Sequence, residues 1–248
     1  MSKVVLFTPG SIFLLGVGGW FMTYGIGISD PQHLVRLPDW PTISNTGSFP
    51  PESCVFSQLL NTTAIIGLFV TVVFFKYTQA IGADDSLAKA TAVLGIIQMF
   101  GVMLVGNFQF TSIRFVHFFG ATLAFGCGLA LALCISIMSA GKLMSPKWLV
   151  WTRIGITTIA FASGIIMLVS AFQQGDPAEA DYSRFWANMT DAFEWSLGIS
   201  LLCFYCSLTY EFSKIKSTKF SITLDSVTTV KSENGDGRRE VESEEHRF

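Results

Sequence analysis

The chain has 248 residues, of which 50% are apolar and only 14% charged, against roughly a quarter charged in soluble domains. Of its 16 basic and 18 acidic residues, fifteen fall in positions 211–248, which leaves a lipid-soluble body and a polar tail. The formal net charge of -2 gives no basic footprint, so nucleic acid is excluded as an expected partner.

A membrane helix needs about 20 mostly apolar residues to cross a hydrocarbon core of roughly 30 Å. Six stretches meet that length, at about 4–28, 55–75, 90–109, 116–138, 151–172 and 194–212. The expected fold is an all-α integral membrane protein with six transmembrane helices in residues 1–212. The first stretch is longer than the core of a secretory signal and has no small-residue cleavage pattern, so it reads as a retained anchor.

After it comes PTISNTGSFPPES at 41–53. Pro41, Pro50 and Pro51 fix backbone angles, Gly47 permits a tight turn, and Ser44 and Ser53 offer hydroxyls to backbone groups. This loop is expected to lie as a rigid cap on the helix ends. Asn61, inside the second span, opens an N-x-S/T sequon that the bilayer hides. Asn188, in the loop before the sixth span, opens another and is the candidate for N-glycosylation.

Polar residues gather where the third, fourth and sixth spans meet the same face of the membrane: Asn107 and Gln109 end the third, Arg114 sits in the loop, His117 begins the fourth, and Glu194 begins the sixth. Ionisable groups at that depth are costly unless paired or hydrated, which suggests Glu194 with Arg114 or His117. The cluster reads either as a clasp tying helix ends or as a lipid-headgroup or proton-responsive site.

In the fourth span, Gly120, Ala124, Gly128, Ala132, Ser136 and Ala140 recur every four residues. Such a small-residue stripe lets another helix backbone approach closely. Because four residues overshoot a 3.6-residue turn by about 40°, the stripe should wind around the helix and favour a crossing partner in a central position. Cys127, Cys134, Cys203 and Cys206 lie inside spans, where packing explains them, the CxxC of the last two included.

Lys and Arg resist translocation, and nine of them (Lys3, Lys76, Lys89, Lys142, Lys147, Arg153, Lys214, Lys216, Lys219) flank one side against Arg36, Arg114 and Arg184 on the other. Both termini are therefore expected in the cytoplasm, with 213–248 a disordered cytosolic tail. His33, His117 and His246 are too few and too scattered for a metal centre, and no phosphate loop or nucleophile elbow occurs, so no cofactor is expected. No span has the repeated polar face of a pore.

The residues PTISNTGSFPPESCVF at 41–56, VGNFQ at 105–109, His117 with GATLAF at 120–125, and EW at 194–195 resemble the Frag/DRAM/Sfk superfamily. That group includes the damage-regulated autophagy modulators and the transmembrane protein 150 proteins, and SCVFSQ at 53–58, GNFQ at 106–109 and YEF at 210–212 look closest to the latter branch. The outer loop departs from cysteine-richer members in having only Cys54.

The resemblance implies a non-enzymatic multi-pass modulator of autophagy or cell survival at the plasma membrane, endosomes or lysosomes. Its implied partners are membrane lipids and cytosolic autophagy-related or lipid-kinase proteins. An alternative it implies is a plasma-membrane adaptor that localises a phosphatidylinositol 4-kinase complex. A lipid-remodelling enzyme would have to use His117, Glu194 and Glu52 in acid–base chemistry without a nucleophile or metal set.

Overall fold

A computed structural model describes residues 3–29, 41–83, 86–175 and 182–216. The expected disordered tail beyond 216, Lys219, His33, Arg36 and His246 lie outside the described residues. Six helices are long and apolar enough to cross a membrane: α1 (Lys3–Ser29), α2 (Glu52–Ala80), α3 (Ser86–Asn107), α4 (Arg114–Gly141), α5 (Lys147–Gln173) and α6 (Arg184–Ser207). Past Leu208 the sixth continues into a short α7 (Thr209–Lys214). Among the described residues there is no strand.

Helices are the form that satisfies every backbone group without water, and this chain has few interior breakers to interrupt them. The sixth helix starts at Arg184 and not near 194. Hydropathy locates the hydrocarbon, but the stretch from 184 to 194 has no glycine or proline to stop a helix, so the backbone continues beyond the apolar part. This corrects the placement of Asn188, which sits on an exposed face of α6 and not in a loop.

Each helix packs on the next in sequence, and α6 packs back on α1 to close a ring. The interior is apolar, centred on Ala64, Val70, Met99, Leu131, Ile135, Leu197 and Phe204. Polar links cross it: the Tyr205 hydroxyl donates to Gln98 Oε1 at 2.8 Å, joining α6 to α3. Outward residues are apolar too, with Phe115 83% and Phe172 81% exposed; in lipid that is the expected surface, and small-residue contacts and interhelical hydrogen bonds do the joining.

The α4 stripe shows that logic. Gly120, Ala124, Gly128, Ala132 and Ser136 are buried, whereas Ala140 is exposed. A Cβ added to Gly101 of α3 would lie 2.5 Å from the Ala124 nitrogen and 2.7 Å from the Gly120 carbonyl oxygen, so the two backbones touch. One turn on, Gly128 faces Gln98 and Leu201, and the Ser136 hydroxyl meets that of Thr157 on α5 at 3.0 Å. The stripe thus passes from α3 to α5. A drift of about 40° per step carries its sixth member out to the lipid side. Within it, Thr122–Gly126 forms a single π-helical turn, a local widening of the kind that sits inside longer helices.

Candidate functional site

Residues 41–51 fold over one end of the ring, built around a 3-10 turn at Ser44–Gly47. Gly47 is buried against the Phe56 ring so closely that no Cβ fits between them. The indole Nε1 of Trp195 donates to the Pro41 carbonyl at 2.8 Å, the hydroxyls of Thr46 and Thr23 meet at 3.0 Å, and Thr111 donates to the Ser48 carbonyl at 3.1 Å. Pro50 and Pro51 are joined by a cis peptide, and the Ser53 amide donates to the Phe49 carbonyl at 2.8 Å as α2 begins. The cap is thereby tied to α1, α2, α6 and the turn before α4.

Its polar centre is Ser44. The backbone N–H and the hydroxyl of Ser44 both lie 3.2 Å from Glu194 Oε1, and the hydroxyl also lies 2.9 Å from His117 Nε2. His117 Nδ1 is 2.7 Å from the Phe108 carbonyl oxygen. A carbonyl can only accept, so Nδ1 holds a hydrogen and Nε2 faces Ser44 as the other end of the ring. Ser44, His117 and Glu194, far apart in sequence, form one line that begins at the Phe108 carbonyl: Phe108 carbonyl, His117, Ser44, Glu194. His117 is 2% exposed and Glu194 8%.

The five clustered residues separate into four groups. His117 and Glu194 are joined, though through the Ser44 hydroxyl and not directly. Arg114 does not pair with Glu194; it is exposed, with its guanidinium 5.0 Å from the centroid of the Phe110 ring. Gln109 closes the turn, its carbonyl accepting from the amides of Ser112 at 3.0 Å and Ile113 at 3.1 Å. Asn107 stands with Asn61: each amide donates to the other, at 2.9 and 3.0 Å, and Ser57 donates to Asn107 Oδ1 at 2.8 Å.

A family model described as the Frag1/DRAM/Sfk1/Cwh43P N-terminal domain matches residues 5–215. The chain belongs to this family. The matched region takes in the ring, the cap and the Ser44 line of this Frag1/DRAM-type domain. Among curated relatives, the modulator of macroautophagy TMEM150B of Danio rerio is 27% identical over 91% of this chain and 93% of its own length. Transmembrane protein 150A of Xenopus laevis is 30% identical over 79% of this chain and 70% of its own. DNA damage-regulated autophagy modulator protein 2 of Rattus norvegicus is 31% identical over 72% and 73%. No solved structure matches.

At the opposite end of this Frag1/DRAM-type bundle lies a second polar centre that the sequence reading passed over. Arg153 of α5 and Glu211 of α7 are both fully buried and paired at 2.6 Å. Every guanidinium hydrogen has an acceptor: Nε donates to Ser207 Oγ at 2.9 Å, Nη1 to Ser139 Oγ at 2.6 Å and Glu211 Oε1 at 2.9 Å, and Nη2 to Glu211 Oε2 at 2.6 Å and the Ser207 carbonyl at 3.0 Å. Five donors and five bonds make this the form in which a charge tolerates burial. Arg153 had been counted only as a flanking cation. The signal was available: an Arg and a Glu, each inside an expected span, at ends that the topology brings together. No group of three or more His, Cys, Asp or Glu suited to a metal ion occurs among the described residues.

Trp195 gives a first test of the cap. Trp195→Phe keeps an aromatic ring beside Trp20 and Phe21, which now stand 5.9 and 5.4 Å away, but leaves the buried Pro41 carbonyl without its donor. A loss of about 1–3 kcal/mol is expected, read as a lower melting temperature in detergent.

Proposed function

We propose that this chain is a non-enzymatic, multi-pass membrane modulator of autophagy, the role named for its relatives TMEM150B and DNA damage-regulated autophagy modulator protein 2. The observation behind the reading is that the family domain runs from residue 5 to 215. The likeness to those relatives extends over 91% and 72% of this chain, most of its described architecture and not one helix or loop. Endosomal, lysosomal or plasma membranes are the proposed location. The cap end faces the lumen or the exterior; Lys76, Lys89, Lys142, Lys147, Lys214 and Lys216 at the other end support that orientation.

The geometry of Ser44 supports the non-enzymatic part. A hydroxyl 2.9 Å from an imidazole is the contact a nucleophilic serine would need. Yet the neighbouring amides that would have to stabilise an oxyanion are occupied: Ser44 N–H by Glu194, Asn45 N–H by Thr42 Oγ1 at 3.1 Å and Thr46 N–H by the Ile43 carbonyl at 3.1 Å. The serine serves as a tie between elements.

The test is genetic. Removing the gene from cells that express it should reduce autophagic flux during starvation, and re-expressing the full chain should restore it. Flux unchanged by removal would overturn the reading.

A further inference from the structure

The hydroxyl of Ser44 has one hydrogen, and two acceptors compete for it. If His117 is neutral with its hydrogen on Nδ1, Nε2 is an acceptor. If Glu194 is ionised, its Oε1 is an acceptor as well. The Ser44 hydroxyl can then serve only one of them: given to Glu194 it leaves Nε2 without a donor, and given to Nε2 it leaves Glu194 Oε1 with the Ser44 N–H alone and the hydroxyl lone pairs facing the carboxylate, in a place where an unmade bond is expensive. A single added proton removes the shortage in either of two ways. On the carboxyl, it lets Glu194 donate to Ser44 while Ser44 donates to Nε2. On the imidazole, it lets Nε2 donate to Ser44 while Ser44 donates to Glu194. The line from the Phe108 carbonyl to Glu194 is then complete, with every hydrogen aimed at an acceptor. A second proton would charge the buried imidazole and neutralise its counter-ion together.

We infer that Ser44, His117 and Glu194 form a buried site for one proton taken from the compartment that the cap faces, and that filling the site latches the cap onto α4 and α6. The proton comes from bulk water and returns to it, with no other bond made or broken. The route is short, since Ser44 is only partly buried. Among the described residues, the elements packed against the site also carry Asp191, one turn earlier on α6, Arg184 at the start of α6, Glu52 at the start of α2, Tyr24 on α1 and Arg114 on α4. The cap residues 41–51 contribute none, and Asp30, His33, Arg36 and Asp39 lie outside the described residues. Asp191 is itself buried, and two ionised carboxyls a turn apart repel. This inference is independent of the autophagy reading: unchanged flux would leave it standing, and a cap indifferent to pH would leave that reading standing.

The experiment is hydrogen–deuterium exchange of the full chain in lipid nanodiscs at about pH 5 and about pH 8, the interval in which an imidazole titrates. Rates are corrected for intrinsic base catalysis, and peptides from α5 and α6 report that the bundle is folded. Amides of 41–51 are expected to be protected about tenfold more at the acidic value, the equivalent of one buried hydrogen bond. Glu194→Gln puts a group that does not titrate in that place: its amide offers Ser44 either the oxygen, which accepts from the N–H, or the nitrogen, which donates to the hydroxyl, and the choice does not change with pH, so the cap should be protected equally at the two values. Ser44→Ala severs the line and should leave the cap weakly protected at both. Equal protection of the wild-type cap at the two values, or a wild-type pH response retained by either variant, overturns the inference.

Discussion

Glu211→Ala is expected to lower the stability of the bundle by about 3–5 kcal/mol, the cost of leaving a buried charge without its partner. Arg153 would keep acceptors in Ser139 and Ser207 but lose both carboxylate oxygens, and neither water nor lipid can replace them in a site with no exposure. In practice the monodisperse peak of the detergent-solubilised protein should shrink and its melting temperature fall steeply. The double replacement Arg153→Met with Glu211→Leu removes both charges and should recover most of that loss, because a packed apolar pair avoids the desolvation altogether. A double variant as unstable as the single one would show that this centre holds the helices by hydrogen-bond geometry and not by charge compensation.

Gly101→Val should be nearly as damaging, through a different cause. The added side chain would run into the Ala124 nitrogen and the Gly120 carbonyl oxygen, and backbone atoms cannot swing aside as a flexible side chain can. Overpacking of this kind costs about 1–3 kcal/mol even where side chains can adjust; here α3 and α4 would have to separate, so the upper end is expected. Separation should register as new cysteine accessibility at Cys127, one residue before the stripe member Gly128. Gly101→Ala would be milder. Gly10→Ala, where a Cβ meets nothing within 4 Å, is the matched control.

What could be read from the chain alone followed the strength of the physical constraint. The hydrocarbon layer imposes a length and a composition, so six helices were visible as six apolar runs. Proline and glycine impose backbone angles locally, so residues 41–53 stood out as a shaped loop. The start of α6 was not visible, because hydropathy measures where lipid ends and not where a helix ends. The partners of Ser44 were harder still: positions 44, 117 and 194 meet only once three elements have packed, and nothing in the local sequence of any of them states the meeting. Asn61 drew notice as a sequon, although its bond to Asn107 needed only the observation that both lie at the same end of adjacent antiparallel helices. Arg153 and Glu211 were the most legible of the omissions. Each is a charge inside an apolar run, and a topology that brings their ends together makes the pairing close to obligatory.

Because every helix docks on the one made just before it, most of the ring can form while the ribosome is still at work, one hairpin at a time. The loop over its mouth is different. Pro41 and Ser44 emerge early, yet the groups they bond, Trp195 and Glu194, are synthesised about 150 residues later. The lid can meet α1 and α2 before that, but its bonds to Trp195 and Glu194 form only when the sixth helix arrives and closes the circle against the first. A nascent or truncated chain lacking that helix leaves the Ser44 N–H and the Pro41 carbonyl without the partners that seal the mouth, while the turn's own amide bonds are already made.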